Sequence, residues 1–137
     1  MNGPTQDNAA INMSDAELRC VREYLGLTQD WLADHLDVVP RTIRRWEMGQ
    51  RAIPEAVALE MDRLAAETSR YVQRMTQVFE QHTPGRSYIA FRSDGDVEYV
   101  MSPLAYTEAP LPAGWYRRTA ARVWEATNCP IEYGDAS

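Results

Sequence analysis

Hydrophobic residues recur at helical spacing along most of this chain, and proline or glycine marks the breaks between the runs. Met1 to Met13 is polar, contains Gly, Pro and Asn, and has too little apolar content to fold, so residues 1–13 read as a disordered N-terminus. Ser14 followed three residues later by Glu17 forms a capping-box pattern, and Leu18, Val21 and Leu25 then line one face of a helix ending at Gly26. Thr28 can cap a second helix, about Thr28 to Leu36, with Trp31, Leu32 and Leu36 at helical spacing and Gln29, Asp30 and Asp34 on the wet side. Asp37, Val38 and Val39 interrupt the pattern. Pro40 restarts it, because its fixed φ and missing N–H suit a first helical position, and a third helix follows from about Pro40 to Met48. Ile43 and Trp46 face inward there, Arg41, Arg44 and Arg45 point elsewhere, and Gly49 supplies the stop.

After Pro54 a longer pattern begins. Val57, Met61, Leu64, Thr68, Tyr71, Met75 and Val78 alternate steps of four and three, a heptad seam that predicts one helix to about His82, on the order of 40 Å long. Pro84 and Gly85 end it. Tyr88 to Phe91 then reads as a strand. Asp94-Gly95 is a hairpin signal, yet Val97, Val100, Met101 and Leu104 also fit a helix face, and the helix is the reading taken here. A proline-rich loop leads to a last helix, Arg117 to Thr127, with Ala120, Val123 and Trp124 inward and a loose tail beyond Cys129. The fold class that follows is mainly α: an N-terminal helix-turn-helix unit (14–68), a long heptad-patterned helix, and a small α+β C-terminal part (69–137, with helix 69–82 and the α+β unit 86–128).

The run LTQDWLADHLDVVPRTIRRWE resembles the DNA-binding helix-turn-helix of the Cro/C1-type repressor superfamily. Leu27, Thr28, Gln29, Leu32, Ala33, Leu36, Val38, Thr42, Ile43, Trp46 and Glu47 carry the match at that family's spacing. The continuation into a long helix and a small C-terminal piece is similar to a narrower group that includes anti-CRISPR-associated autorepressors, and this likeness favours the helix around residue 97. Two positions depart from the pattern. Asp37 stands where the family usually has Gly, in a turn that needs a left-handed backbone, and Val39 stands where Ser or Thr often caps the recognition helix.

The resemblance implies a sequence-specific DNA-binding regulator, a homodimeric autorepressor reading an inverted repeat of double-stranded DNA with residues 40–48. Arg41 and Arg44, near the start of the recognition helix, are the expected base readers; Gln29, Thr42, Arg45 and Arg51 are the expected phosphate holders. The apolar stripe of the long helix either packs on its own domain or, in its second half, pairs two chains. The second is the expectation taken here, with Tyr71, Val72, Met75, Val78 and Phe79 as the interface, because nothing else in so short a chain looks able to bury the whole stripe. Two other functions stay open: an antitoxin-type protein that neutralises a partner, and RNA binding through Arg117, Arg118 and Arg122 beside Trp115 and Tyr116.

Charge sharpens this picture. The net charge is −6, which argues against indiscriminate coating of nucleic acid, but from Arg41 to Arg51 four arginines face the single acid Glu47. Cys20 and Cys129 are too isolated for a disulfide framework or zinc site; Cys20 is expected semi-buried and Cys129 in a loop. His35 and His82 read as ordinary polar helix residues. No catalytic motif, metal site or cofactor motif stands out, and neither a membrane span nor a signal leader is visible, so a cytoplasmic, non-enzymatic protein is expected.

Overall fold

The computed structural model describes residues 12–81, 85–104, 106–107 and 109–134. It is mainly helical: α1 (Asp15–Tyr24), α2 (Gln29–Leu36), α3 (Pro40–Glu47), α4 (Glu55–Glu80), β1 (Tyr88–Ala90), a 3-10 helix (Asp94–Val97), α5 (Ala113–Thr127) and β2 (Ile131–Tyr133). Among the described residues, no helix is long and apolar enough to cross a membrane. Residues 1–11 of the expected disordered leader lie outside the described residues, and so does His82. Met13, at the end of that leader, packs half-buried against the core.

The helix starts follow the local chemistry. Ser14 Oγ accepts from Glu17 N and Glu17 Oε1 accepts from Ser14 N, the reciprocal box expected at the head of α1. Thr28 Oγ1 accepts from Trp31 N at 2.9 Å and caps α2. Asp37 closes α2 at φ 58°, ψ 46°, the left-handed position that Gly usually fills, and its carboxylate makes no hydrogen bond among the described residues. Asp37→Gly is therefore expected to change stability by between zero and about +1 kcal/mol: relief of Cβ crowding is partly offset by the freer unfolded chain. Thermal melting decides this, and a clear loss would show that the aspartate side chain holds the turn.

One large core spans both predicted halves. Leu18, Leu25, Leu32, Ile43, Trp46, Met61 and Leu64 share it with Val97, Leu104, Leu111 and Trp115, so the predicted boundary at 68/69 falls inside α4 and across continuous packing. A second cluster joins Val72, Tyr88, Ala90, Ala120, Val123 and Cys129. Across the first, Trp115 Nε1 donates to Thr68 Oγ1 at 3.0 Å, which explains a threonine within an apolar seam.

Here the expected dimer face is corrected. Val72 is 8% exposed inside the second cluster, Tyr71, Met75 and Phe79 pack against that cluster, and Val78 is half-buried. The cover that seemed missing is α5 together with β1. Tyr71 meets Trp115 with ring centroids 5.1 Å apart, and Phe79 meets Tyr88 at 5.8 Å. A heptad-like stripe serves a neighbouring helix of the same chain as well as a second copy.

The C-terminal part brings further corrections. The helix taken over the hairpin is present but short, a single 3-10 turn at Asp94–Val97 that does not run on to Leu104: Ser93 N donates to Asp96 Oδ2, and Asp94 Oδ1 accepts from Ala113 N at 2.8 Å. Val97 and Leu104 are buried as expected, whereas Met101 is exposed. Helix α5 starts at Ala113, four residues before the expected Arg117, because Pro112 provides the extended residue ahead of it. Trp124, expected inward, is 51% exposed. The expected loose tail instead forms β2, parallel to β1 in the register Tyr88 to Ile131 and Ala90 to Tyr133, with α5 as the crossover such a pair requires. Cys20, expected semi-buried, is exposed, whereas Cys129 lies in the expected loop, between α5 and β2, and is buried there.

Candidate nucleic-acid interface

The outer face of α3 gathers the arginines. Ile43 and Trp46 are buried on its inner side, while Arg41 and Arg44 are exposed and Arg45 is half-buried. At about 100° per residue the three guanidinium side chains fan over roughly 100° of the helix, opposite the buried pair. Arg51 extends the same charge from the exposed turn after Gly49. None of Arg41, Arg44, Arg45 or Arg51 forms an ion pair within the protein among the described residues. Thr42 is half-buried on the flank, its N–H bonded to Val39 O in the first turn.

Glu47, the single acid among these arginines, is neutralised from below. Arg22 donates from Nε to Glu47 Oε2 at 2.6 Å and from Nη2 to Oε1 at 2.9 Å, a bidentate pair whose side chains are only 10% and 4% exposed. Nη1 of Arg22 also donates to Leu27 O at 3.0 Å, so one guanidinium joins α1, the loop before α2, and α3. Through these contacts Glu47 ties α3 to its neighbours. Arg22 itself was missed. The signal was present: it lies four residues after Leu18 and three before Leu25, on the apolar face of its helix, where a cation needs a buried anion.

Gln29 departs in part from its expected role. Its Nε2 donates to Glu47 Oε1 at 3.1 Å, which leaves one side-chain N–H and the backbone N–H at the head of α2 for a phosphate. Those groups border an open cleft lined by Arg19, Arg22, Gln29, Asp30, Arg44 and Glu47, so a polyanion lying along α3 would meet the start of α2 as well, with Asp30 the acid facing it there. His35 is more than a polar surface residue. It stacks on Trp31 with centroids 4.8 Å apart and meets Glu60 Oε2 at 2.7 Å, while Trp31 Nε1 donates to Pro110 O at 2.8 Å. These contacts fasten α2 to α4 and to the C-terminal loop.

The surface considered for RNA is occupied by the protein itself. Trp115 and Tyr116 are 1% and 5% exposed, which leaves no ring face for a base, and burial pushes the Tyr116 hydroxyl up to about 12. Arg117 donates to the Phe91 and Arg92 carbonyls, Arg118 to the Glu23 carbonyl, and Arg122 to Ser69 Oγ. They clamp α5 onto its surroundings through carbonyl and hydroxyl oxygens. Searched against protein-family models and curated proteins, the sequence matches none of them.

Proposed function

We propose that this chain is a sequence-specific DNA-binding transcriptional regulator, working as a homodimeric autorepressor that lays α3 into the major groove of each half of an inverted repeat. The observation that carries the reading is the arginine face of α3: Arg41 and Arg44 stand exposed and outside any ion pair among the described residues, while Glu47, the acid on the same helix, is neutralised by a buried Arg22. A helix whose inner face is fixed and whose outer face is wholly cationic presents charge that the fold itself does not use. The net charge of −6 over the whole chain favours a defined docking face over general adhesion to polyanions. The likeness of residues 27–47 to Cro/C1-type repressors supports the same docking. Half-sites are then expected about one DNA turn apart, roughly 34–36 Å.

The test separates reading from holding. Arg41, near the helix start, and Arg44, one turn on, are assigned to base edges, where a guanidinium donates two bonds to O6 and N7 of guanine. Arg45, Arg51, Thr42 and Gln29 are assigned to phosphates. Arg41→Ala is expected to lose about 1–3 kcal/mol on the preferred duplex and little on a scrambled one, relaxing preference at one base pair. Arg45→Ala should weaken both duplexes alike and lower the slope of affinity against salt by about one. Binding isotherms of both variants on both duplexes across a salt series decide it. Full discrimination by Arg41→Ala would place the reading surface elsewhere.

A further inference from the structure

Val39 has a side chain whose chemistry the fold leaves unexplained. It is the N-cap of α3, at φ −82° and ψ 152°, and makes no side-chain bond to the first turn. A hydroxyl or carboxamide there would accept from an open N–H, so valine forgoes a stabilising bond. Nor does it pack inward, since Val38 turns toward the core while Val39 is 61% exposed. The extended backbone before Pro40 suits a β-branched residue, but threonine meets that need equally and would also cap. What valine has and threonine lacks is a second methyl group, held in solvent two residues before Arg41.

Resting on the DNA-binding reading above, we infer that Val39 is a specificity-determining residue that packs its exposed methyls against the C5 methyl of a thymine, beside the base pair read by Arg41. The thymine methyl is the apolar feature of the major groove, and an apolar side chain at the mouth of a recognition helix is its natural complement. Contact with it covers the exposed valine and gives a return in sequence preference for the missing cap. A phosphate would gain nothing from an isopropyl group.

The probe is the duplex that the wild-type protein selects from a random-sequence pool, with each thymine replaced in turn by deoxyuridine, which removes the methyl and keeps every hydrogen-bonding edge. Wild-type protein is expected to lose about fourfold in affinity at one thymine per half-site, the worth of one methyl taken from contact. Val39→Ala and Val39→Ser should bind the thymine and uridine duplexes equally well at that position. Val39→Ser, which regains a cap, should melt no lower than wild type, showing that the loss lies at the interface. Wild-type indifference to every uridine, methyl sensitivity retained in both variants, or a lower melting point for Val39→Ser would each overturn the assignment of Val39 and leave the DNA-binding reading standing. Failure to select any sequence would overturn that reading, and Val39 with it.

Discussion

Arg22→Ala is expected to cost about 3–5 kcal/mol of folding stability, because it strands the Glu47 carboxylate in a site where that side chain is 4% exposed. The same change frees the Leu27 carbonyl and removes two of the three hydrogen bonds that orient Glu47, so α3 loses this tie to α1. Chemical denaturation of wild type, Arg22→Ala, Glu47→Ala and the double variant measures the pair as a cycle. The double variant should be less damaged than the sum of the singles, since neither charge is then left alone. A loss below about 1 kcal/mol for Arg22→Ala would mean that water reaches Glu47 and that the pair behaves as a surface ion pair.

Gly26→Ala should be of similar severity for a steric reason. Gly26 lies at φ +70° where the end of α1 meets the start of α5, and a Cβ placed on it would come within 2.3 Å of Gly114 O and 2.6 Å of Trp115 N. Both neighbours are backbone atoms and cannot rotate away. Overpacking of this kind costs about 1–3 kcal/mol or more, and the left-handed conformation adds on the order of 1 kcal/mol for any residue with a Cβ. Gly114→Ala is expected to cost less. Its Cβ would meet Gly26 O at 2.8 Å, but its backbone is helical and alanine favours that conformation. Thermal melts of the two variants should rank them in that order. Equal or negligible losses would show that the junction yields.

What the sequence made legible was mostly local. The capping box at Ser14, the Thr28 cap, the left-handed turn at Asp37 and the uncapped Val39 depend on neighbours within four residues, and all four stand as expected. The candidate interface was legible for the same reason, since Arg41, Arg44 and Arg45 sit on a short helix whose apolar positions fix its rotation. What was not legible depends on partners distant in the chain. The period of the α4 seam marks an apolar stripe without saying whether α5 or another molecule covers it. Likewise, nothing near Arg22 in sequence points to Glu47, 25 residues away. Three exposed residues, Ile131 to Tyr133, are too few to show alternation, and only the edge of β1 makes them a strand.

The core shared between α1–α3 and the C-terminal elements has a consequence for how two copies would measure DNA. Among the described residues no joint separates α3 from the remainder, since α2 is fastened to α4 through His35 and Glu60 and to the C-terminal loop through Trp31 and Pro110. In the proposed homodimer, each chain would carry α3 at an angle set by its own core. One base pair added between half-sites turns the far site by about 34–36° around the DNA axis, and among the described residues α3 has no separate unit of its own that could swing to follow it. Under the proposed docking, distance and phase between half-sites are expected to be discriminated along with the bases, through the packing of α3 on the rest of the chain and not through any side chain that touches DNA.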